Sequence, residues 1–300
     1  MRKIKLQPVG RNRFTAPIAV VSDSLFVVSR GRRNALRLLR PTLRAKGGCR
    51  QTRRVVWWHG AKIAPFAYAE PFVKIVDLSR ELYHRTPSYP GHPPIIHGVW
   101  KSHEESLADS GNVYGLSSMF LSMADHGGTH IDAPRHFGKQ GQPIDQYPLE
   151  NCIVPGICLD LRHIAPRAEI TPADLEAAAK QAKVAVPKGG TVLLCTGHHA
   201  RTFPRKEYST DNSGVNVAAT EWLAGHGIVH FGIDSMRPGP DGKENLLVHK
   251  ACLDLGITHI ESLCNLEALL GQGPFTFIGL PLKWREGTAS PIRAVAVFGL

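Results

Sequence analysis

The chain has 300 residues, 43% of them hydrophobic and 20% charged, and a formal net charge of +11. Such a length and composition describe a globular protein able to bury a real core, and they exclude collagen-like, disulfide-stapled and wholly disordered chains. No run approaches the roughly 18 consecutive apolar residues that a membrane-spanning helix needs.

The charge is unevenly placed. Residues 1–70 hold 16 of the 36 Lys and Arg but only two acids, Asp23 and Glu70, a balance of +14 that leaves −3 for the remainder. Histidine is skewed the other way, with only His59 of the fifteen before residue 71. This predicts a basic leader over 1–71 and a nearly neutral domain over 72–300. The leader surrounds an apolar run, Ala16 to Val28, with arginines, and Ala67-Tyr68-Ala69 has the form of a cleavage site. A targeting segment is one reading; the reading adopted is a disordered, non-core basic arm or a misassigned start. The six cysteines form no C-x-x-C pair, which argues against thiolate zinc and redox motifs and predicts buried, reduced thiols in a cytoplasmic protein.

From Phe72 the pattern becomes regular. Val73–Leu78 reads as a strand, Pro87 to Pro94 as a loop, and Leu116–Ala124 and Ile153–Leu161 as further strands. Thr171 is a natural N-cap, with Pro172 at the first helical position, for a helix to about Lys183. Thr191–Cys195 is a strand. A helix over Val217–Leu223 precedes a strand over Ile228–Ile233. A helix over Leu247–Leu255, ended by Gly256, precedes the strand Ile257–Glu261. Phe275–Leu282 and Ala294–Phe298 are the last strands. Interleaved strands and helices, with strands in excess, predict one α/β domain with a mixed, largely β sheet and flanking helices.

The chemistry concentrates in His126-Gly-Gly-Thr-His130-Ile-Asp132-Ala-Pro-Arg-His136-Phe137, with three histidines and a carboxylate in its first eleven residues. Imidazole nitrogens with a carboxylate suit zinc and other first-row divalent ions. Two glycines argue against a helix here, whereas a strand aims His130 and Asp132 to the same side. Pro134 is expected to end regular structure and let His136 swing back toward them.

This run resembles the signature of the metal-dependent cyclase family, which includes bacterial kynurenine formamidases and isatin hydrolases. Tyr89-Pro90-Gly91, Gly232-Ile233-Asp234-Ser235, Leu280-Pro281-Leu282-Lys283 and Ser290-Pro291-Ile292-Arg293 resemble its supporting segments in order. The resemblance implies a swivelling β/α-type cyclase fold and a divalent-metal site, zinc or manganese, of one or two ions. It carries metal binding to His126, His130 and Asp132, and to His249 and Glu261, which keep the family's twelve-residue spacing. It carries proton transfer to His136 and substrate contact to Tyr89. The implied activity is that of a metal-dependent, arylformamidase-like hydrolase. It would cleave an amide-type C–N bond, in an N-formyl aryl amine or a small cyclic amide, with hydroxide generated at the metal. The same fold and metal acting on a lactone or in a dehydration is an alternative. So is a non-enzymatic, basic-armed binder of nucleic acid or an anionic surface with a structural metal, which the +14 leader would serve. Expected partners are a small-molecule substrate and further copies of the chain, with no nucleic acid. Tyr89 stands where formamidases have Trp, His92 replaces the usual acid, and the continuation after Asp234 differs. The remaining histidines, His259 among them, receive no role, and His198-His199 reads as a solvated loop.

Overall fold

The computed structural model describes residues 73–299, together with six three-residue strands ahead of them. The chain divides into two units, Met1–Glu70 and Pro71–Leu300. In the first, Ala19–Val21 pairs with Ser24–Phe26, Val28–Arg30 with Leu36–Leu38, and Val56–Trp58 with Ala61–Ile63. The readings of the leader as a basic arm or a targeting segment lie outside the described residues.

In the second unit, the continuous apolar runs of the sequence become the middle of a sheet. The strands are β1 (Lys74–Asp77), β2 (Ile96–Lys101), β3 (Ser118–Ser122), β4 (His130–Asp132), β5 (Ile153–Asp160), β6 (Glu169–Ile170), β7 (Thr191–Cys195) and β8 (Gly214–Val215). They continue with β9 (His230–Ile233), β10 (Thr258–Glu261), β11 (Phe275–Ile278), β12 (Ala289–Pro291) and β13 (Val295–Phe298). Nine of them form one mixed sheet in the order β12-β4-β10-β9-β7-β5-β11-β13-β1. The central four, β5, β7, β9 and β10, run parallel. Every residue of β7 and β9 is buried, as expected where both faces of a parallel sheet are covered.

The helices are α1 (His103–Asp109), α2 (Pro134–Phe137), α3 (Pro172–Ala182), α4 (His198–Thr202), α5 (Val217–Gly225) and α6 (Lys243–Leu255). Helices α3, α5 and α6 cover one face, packing Leu175, Leu223, Val248 and Cys252 against Ile157, Leu159, Leu194 and Phe231. The opposite face buries Cys158, Leu193, Ile260 and Phe277 beneath Ile144, Leu266 and Leu269. Alternate residues of β5 thus go to opposite cores, the period-two consequence of the pleat. Helix α3 starts where the N-cap predicts: Thr171 and Asp174 form a reciprocal capping box, a motif worth about 1 kcal/mol.

Three local expectations need correction. Helix α6 begins at Lys243, so His249 sits in mid-helix and not at a helix start. Pro134 opens the single turn α2 at its first helical position instead of ending regular structure, because its fixed φ suits a helix start and its missing N–H costs nothing there. His198 is fully buried on α4, its ring stacked on Tyr208 and its Nε2 bonded to the Tyr208 carbonyl at 2.9 Å, and is no solvated loop residue. Strand β3 falls within the predicted 116–124, but it pairs with β2 in a separate two-stranded hairpin and all five of its residues are exposed.

Candidate metal centre and cavity

The centre grows from one strand pair. β4 and β10 run antiparallel with His130 opposite Glu261, so the pairing alone brings together a histidine and a carboxylate 131 positions apart in the chain. On β4, Ile131 points into the hydrophobic core. His130 and Asp132 take the other face, with His130 Nε2 3.3 Å from Asp132 Oδ1 and 3.4 Å from Glu261 Oε2. The chain reaches β4 through Gly128 at φ +75, where an added Cβ would lie 2.6 Å from Leu82. The left-handed backbone favours glycine there, and any side chain would also have to displace a terminal methyl of Leu82. Helix α2 then returns His136, whose Nε2 lies 3.7 Å from Asp132 Oδ2. Helix α6 supplies His249, its ring 5.5 Å from that of His136.

Asp132 is the hub. It is fully buried, and its oxygens lie 2.9 Å from His126 Nδ1 and 3.2 Å from His259 Nε2, besides the contacts to His130 and His136. These approaches are close but misaligned: among the described residues, neither Asp132 oxygen nor His130 Nε2 makes a hydrogen bond. Buried polar atoms left so are costly unless a further partner serves them. The imidazoles are fixed from behind. His130 Nδ1–H donates to the Gly128 carbonyl at 2.9 Å and His249 Nδ1–H to that of Asn245 at 2.7 Å. Both Nε2 lone pairs are thereby turned inward, the arrangement that orients metal-binding histidines.

His126 makes the point most sharply. The Thr288 hydroxyl donates to Asp125 Oδ2 at 2.7 Å, so it can only accept from His126 Nε2–H at 3.1 Å. That leaves the Nδ1 lone pair facing a carboxylate oxygen 2.9 Å away. A positive charge must lie between them, either a proton or a metal ion. Burial opposes a proton on His126, but the Asp132 charge outweighs it and raises the His126 pKa. His259 is likewise driven well above its ordinary value by Asp132 against the effect of burial. Burial would raise Asp132, yet the charges of His126 and His259 hold it well below the usual carboxylate range. His136 differs: burial, helped by the neighbouring imidazoles and opposed by the Asp132 charge, pushes it down to about 4, so it is neutral at pH 7.

Two donor sets meet at this hub, Asp132-His249-His259-Glu261 and His126-Asp132-His136, each with ligand atoms within 4.8 Å of one another. The inward lone pairs and orphaned carboxylate oxygens fit a first-row divalent ion. The structure thus places His126, His130, Asp132, His136, His249 and Glu261 together; all but the fully buried Asp132 line a cavity of ≈ 400 Å³ that Tyr89 also lines. Tyr89 is 38% exposed, and the Arg237 guanidinium lies 6.0 Å from its ring centroid. His259 is the residue the sequence reading missed. Its signal was present: it stands two positions before Glu261 on a strand, and so shares its face.

The family model "Putative cyclase" matches residues 76–240, more than half of the chain. The chain belongs to the cyclase family. Solved structures similar to this cyclase-family chain include isatin hydrolase A from Labrenzia aggregata, bound to benzyl benzoate (TM-score 0.65, 22% identity, 76% of this chain and 95% of that one). Isatin hydrolase A from Ralstonia solanacearum follows at TM-score 0.64 and 23% identity, over 75% and 92% of the two chains. A potential metal-dependent hydrolase with cyclase activity matches at TM-score 0.59 and 24% identity, over 75% and 98%. At these identities the likeness establishes a shared fold, here the mixed sheet and helices of the cyclase family.

Proposed function

We propose that the chain is a metal-dependent hydrolase of amide-type C–N bonds, acting on an N-formyl aryl amine or a small cyclic amide. The observation that carries this reading is the buried Asp132 carboxylate, ringed by imidazoles and without a hydrogen bond among the described residues, beside a cavity of ≈ 400 Å³. Membership of the cyclase family and likeness to isatin hydrolases support the choice of bond. His126, His130, Asp132, His249, His259 and Glu261 would hold the metal. With His136 left free for proton transfer, the donors that meet at Asp132 suit one or two ions of zinc or manganese. A divalent ion in such a set supplies Lewis acidity, activating water at neutral pH and polarising a carbonyl.

The protein's own part is positioning and proton transfer. His136, kept neutral by burial and a third exposed at its side chain, can accept a proton at Nε2 and return it to the departing nitrogen, a role worth about 10²–10⁴ in rate. Tyr89 and Phe137 offer aromatic walls for an aryl group. Elemental analysis of the purified protein, followed by a panel of formamides, cyclic imides and lactones, tests the reading. Metal-dependent turnover of a formamide or cyclic amide supports it; turnover of lactones alone, or of nothing, refutes it.

The same reading includes self-association. Nine large apolar side chains between Val99 and Leu121, on and between the hairpin strands β2 and β3, are 38–82% exposed. At roughly 100 Å² each they offer about the 800 Å² per partner of a stable interface, and a second copy of the chain is the occupant proposed. Light scattering at micromolar concentration should give a dimer or larger assembly that Trp100→Glu dissociates. A monomeric wild type overturns this part. No helix among the described residues is long and apolar enough to cross a membrane.

A further inference from the structure

Two arginines line the cavity, and they are not in the same state. Arg237 is fully engaged: Nε bonds Asn212 Oδ1 at 3.0 Å, Nη1 the Asp241 carboxylate at 2.9 Å, and Nη2 the Ser209 carbonyl at 2.9 Å. Arg80 is equally buried, 6% exposed, yet forms no salt bridge among the described residues. Its guanidinium lies 5.6 and 5.5 Å from the ring centroids of Phe203 and Tyr208. Nη1 donates to the Pro87 carbonyl at 2.7 Å, and Nε has no partner among the described residues.

A buried guanidinium without a counter-charge is costly, and aromatic faces offset only part of that cost. The backbone fixes it in place. Arg80 N–H donates to Thr129 Oγ1 at 3.0 Å, and that hydroxyl donates to the Ser262 carbonyl at 2.6 Å. Arg80 is therefore anchored to the residues that flank His130 on one strand and Glu261 on the next. Around it the cavity wall adds a second unpaired polar atom, His92 Nδ1. Among the described residues, the one carboxylate that lines the same cavity is Glu261 of the metal centre.

We propose that Arg80 is the recognition site for a carboxylate carried by the substrate, so that the preferred substrates are amides bearing a free carboxylate on the aromatic ring and not neutral anilides. The planar fork of a guanidinium pairs with a carboxylate through parallel N–H donors. Among the described residues Arg80 Nη2 makes no hydrogen bond and, unlike Nε, is not sealed from solvent, so it is the donor that can meet a carboxylate, with Nε beside it. The proposal rests on the reading of this cavity as the substrate site of an amide hydrolase, which the tests keep separate.

The first arm is binding to the full chain with metal removed by chelator, so that benzoate cannot be held by an ion. By calorimetry benzoate is expected to bind at least tenfold tighter than benzamide. Arg80→Gln should erase that preference, and Arg80→Lys should retain part of it. Equal binding of the two ligands by the wild type, which needs no variant to fold, overturns the proposal, as does a preference that survives Arg80→Gln. The second arm compares hydrolysis of 2- and 4-formamidobenzoate with formanilide by the metal-loaded enzyme. At least one acid should show a tenfold higher kcat/KM than formanilide, and Arg80→Gln should raise its KM at least tenfold more than that of formanilide. Hydrolysis of formanilide at parity with both acids refutes carboxylate recognition and leaves the hydrolase reading standing. An Arg80-dependent benzoate preference with no hydrolysis of any amide supports the site and refutes the hydrolase.

Discussion

Asp132→Asn probes the centre at its hub. The wild-type side chain presents two oxygens to four imidazoles, at 2.9 and 3.3 Å on one side and 3.2 and 3.7 Å on the other. An amide keeps the shape but removes the negative charge. It also turns an NH₂ group toward one pair of rings, so at most one side retains an acceptor. A ligand bound only by the folded protein stabilises it by about 2.7 kcal/mol at a hundred times its Kd. For a unit the size of Pro71–Leu300, each kcal/mol moves Tm by about 2–4 °C. Zinc or manganese at that level should therefore raise the wild-type Tm by about 5–10 °C over chelated protein. Under the same conditions Asp132→Asn should move by less than about 2 °C and lose its bound metal by elemental analysis. Scanning fluorimetry across a metal titration reads the difference. An undiminished shift in the variant, at the wild-type metal content, would falsify the placement of the ion at Asp132.

His136→Ala should keep the metal-induced Tm shift and lose about 10²–10⁴ in kcat; a variant with wild-type turnover removes His136 from the mechanism. Thr288→Val leaves His126 Nε2 without its acceptor, and metal affinity should fall by about 10–100-fold, measured by competition with a chromophoric chelator. Asp234 is buried, accepts from the Thr196 hydroxyl, and is pushed by burial from 3.8 up to about 6. Between those values the unfolded chain ionises first, so stability falls as pH rises from 3.8 through about 6 and stays lowered above it. The loss is about 3 kcal/mol at most. Urea unfolding at pH 4.5 and 7.5 should show Asp234→Asn with a smaller drop than wild type, and identical drops would contradict the assignment.

Much of this was readable because sheet periodicity and ligand chemistry coincide in the run from His126 to His136. Its glycines excluded a helix, and alternation placed His130 and Asp132 on one face. β7 matched its predicted bounds because five apolar residues between turn signals leave little choice. The α3 N-cap was equally plain, since Thr171, Pro172 and Asp174 each favour the same boundary. What local pattern cannot encode is which distant residue completes a site. His259 was overlooked although Glu261, its neighbour on the same face, was singled out. Arg80 was invisible for a different reason: an arginine in a loop announces nothing until the absence of a partner is seen in three dimensions. The hairpin partner β2 and helix α1 were missed because Ile96–Lys101, IHGVWK, follows no clean alternation and buries no face to enforce one.

The place of β4 in the sheet bears on how the protein comes into being. Its two neighbours, β10 and β12, both follow it in the chain, the second by well over a hundred residues. A ribosome releases the His126–His136 run long before either flanking strand exists, leaving both edges of β4 open for pairing. Such long-range closure is slow, and its unpaired edges are exposed to aggregation in the interval. The metal centre is therefore a late product of folding, completed only as the last quarter of the chain docks. Metal supplied during refolding should raise the yield by capturing that final step.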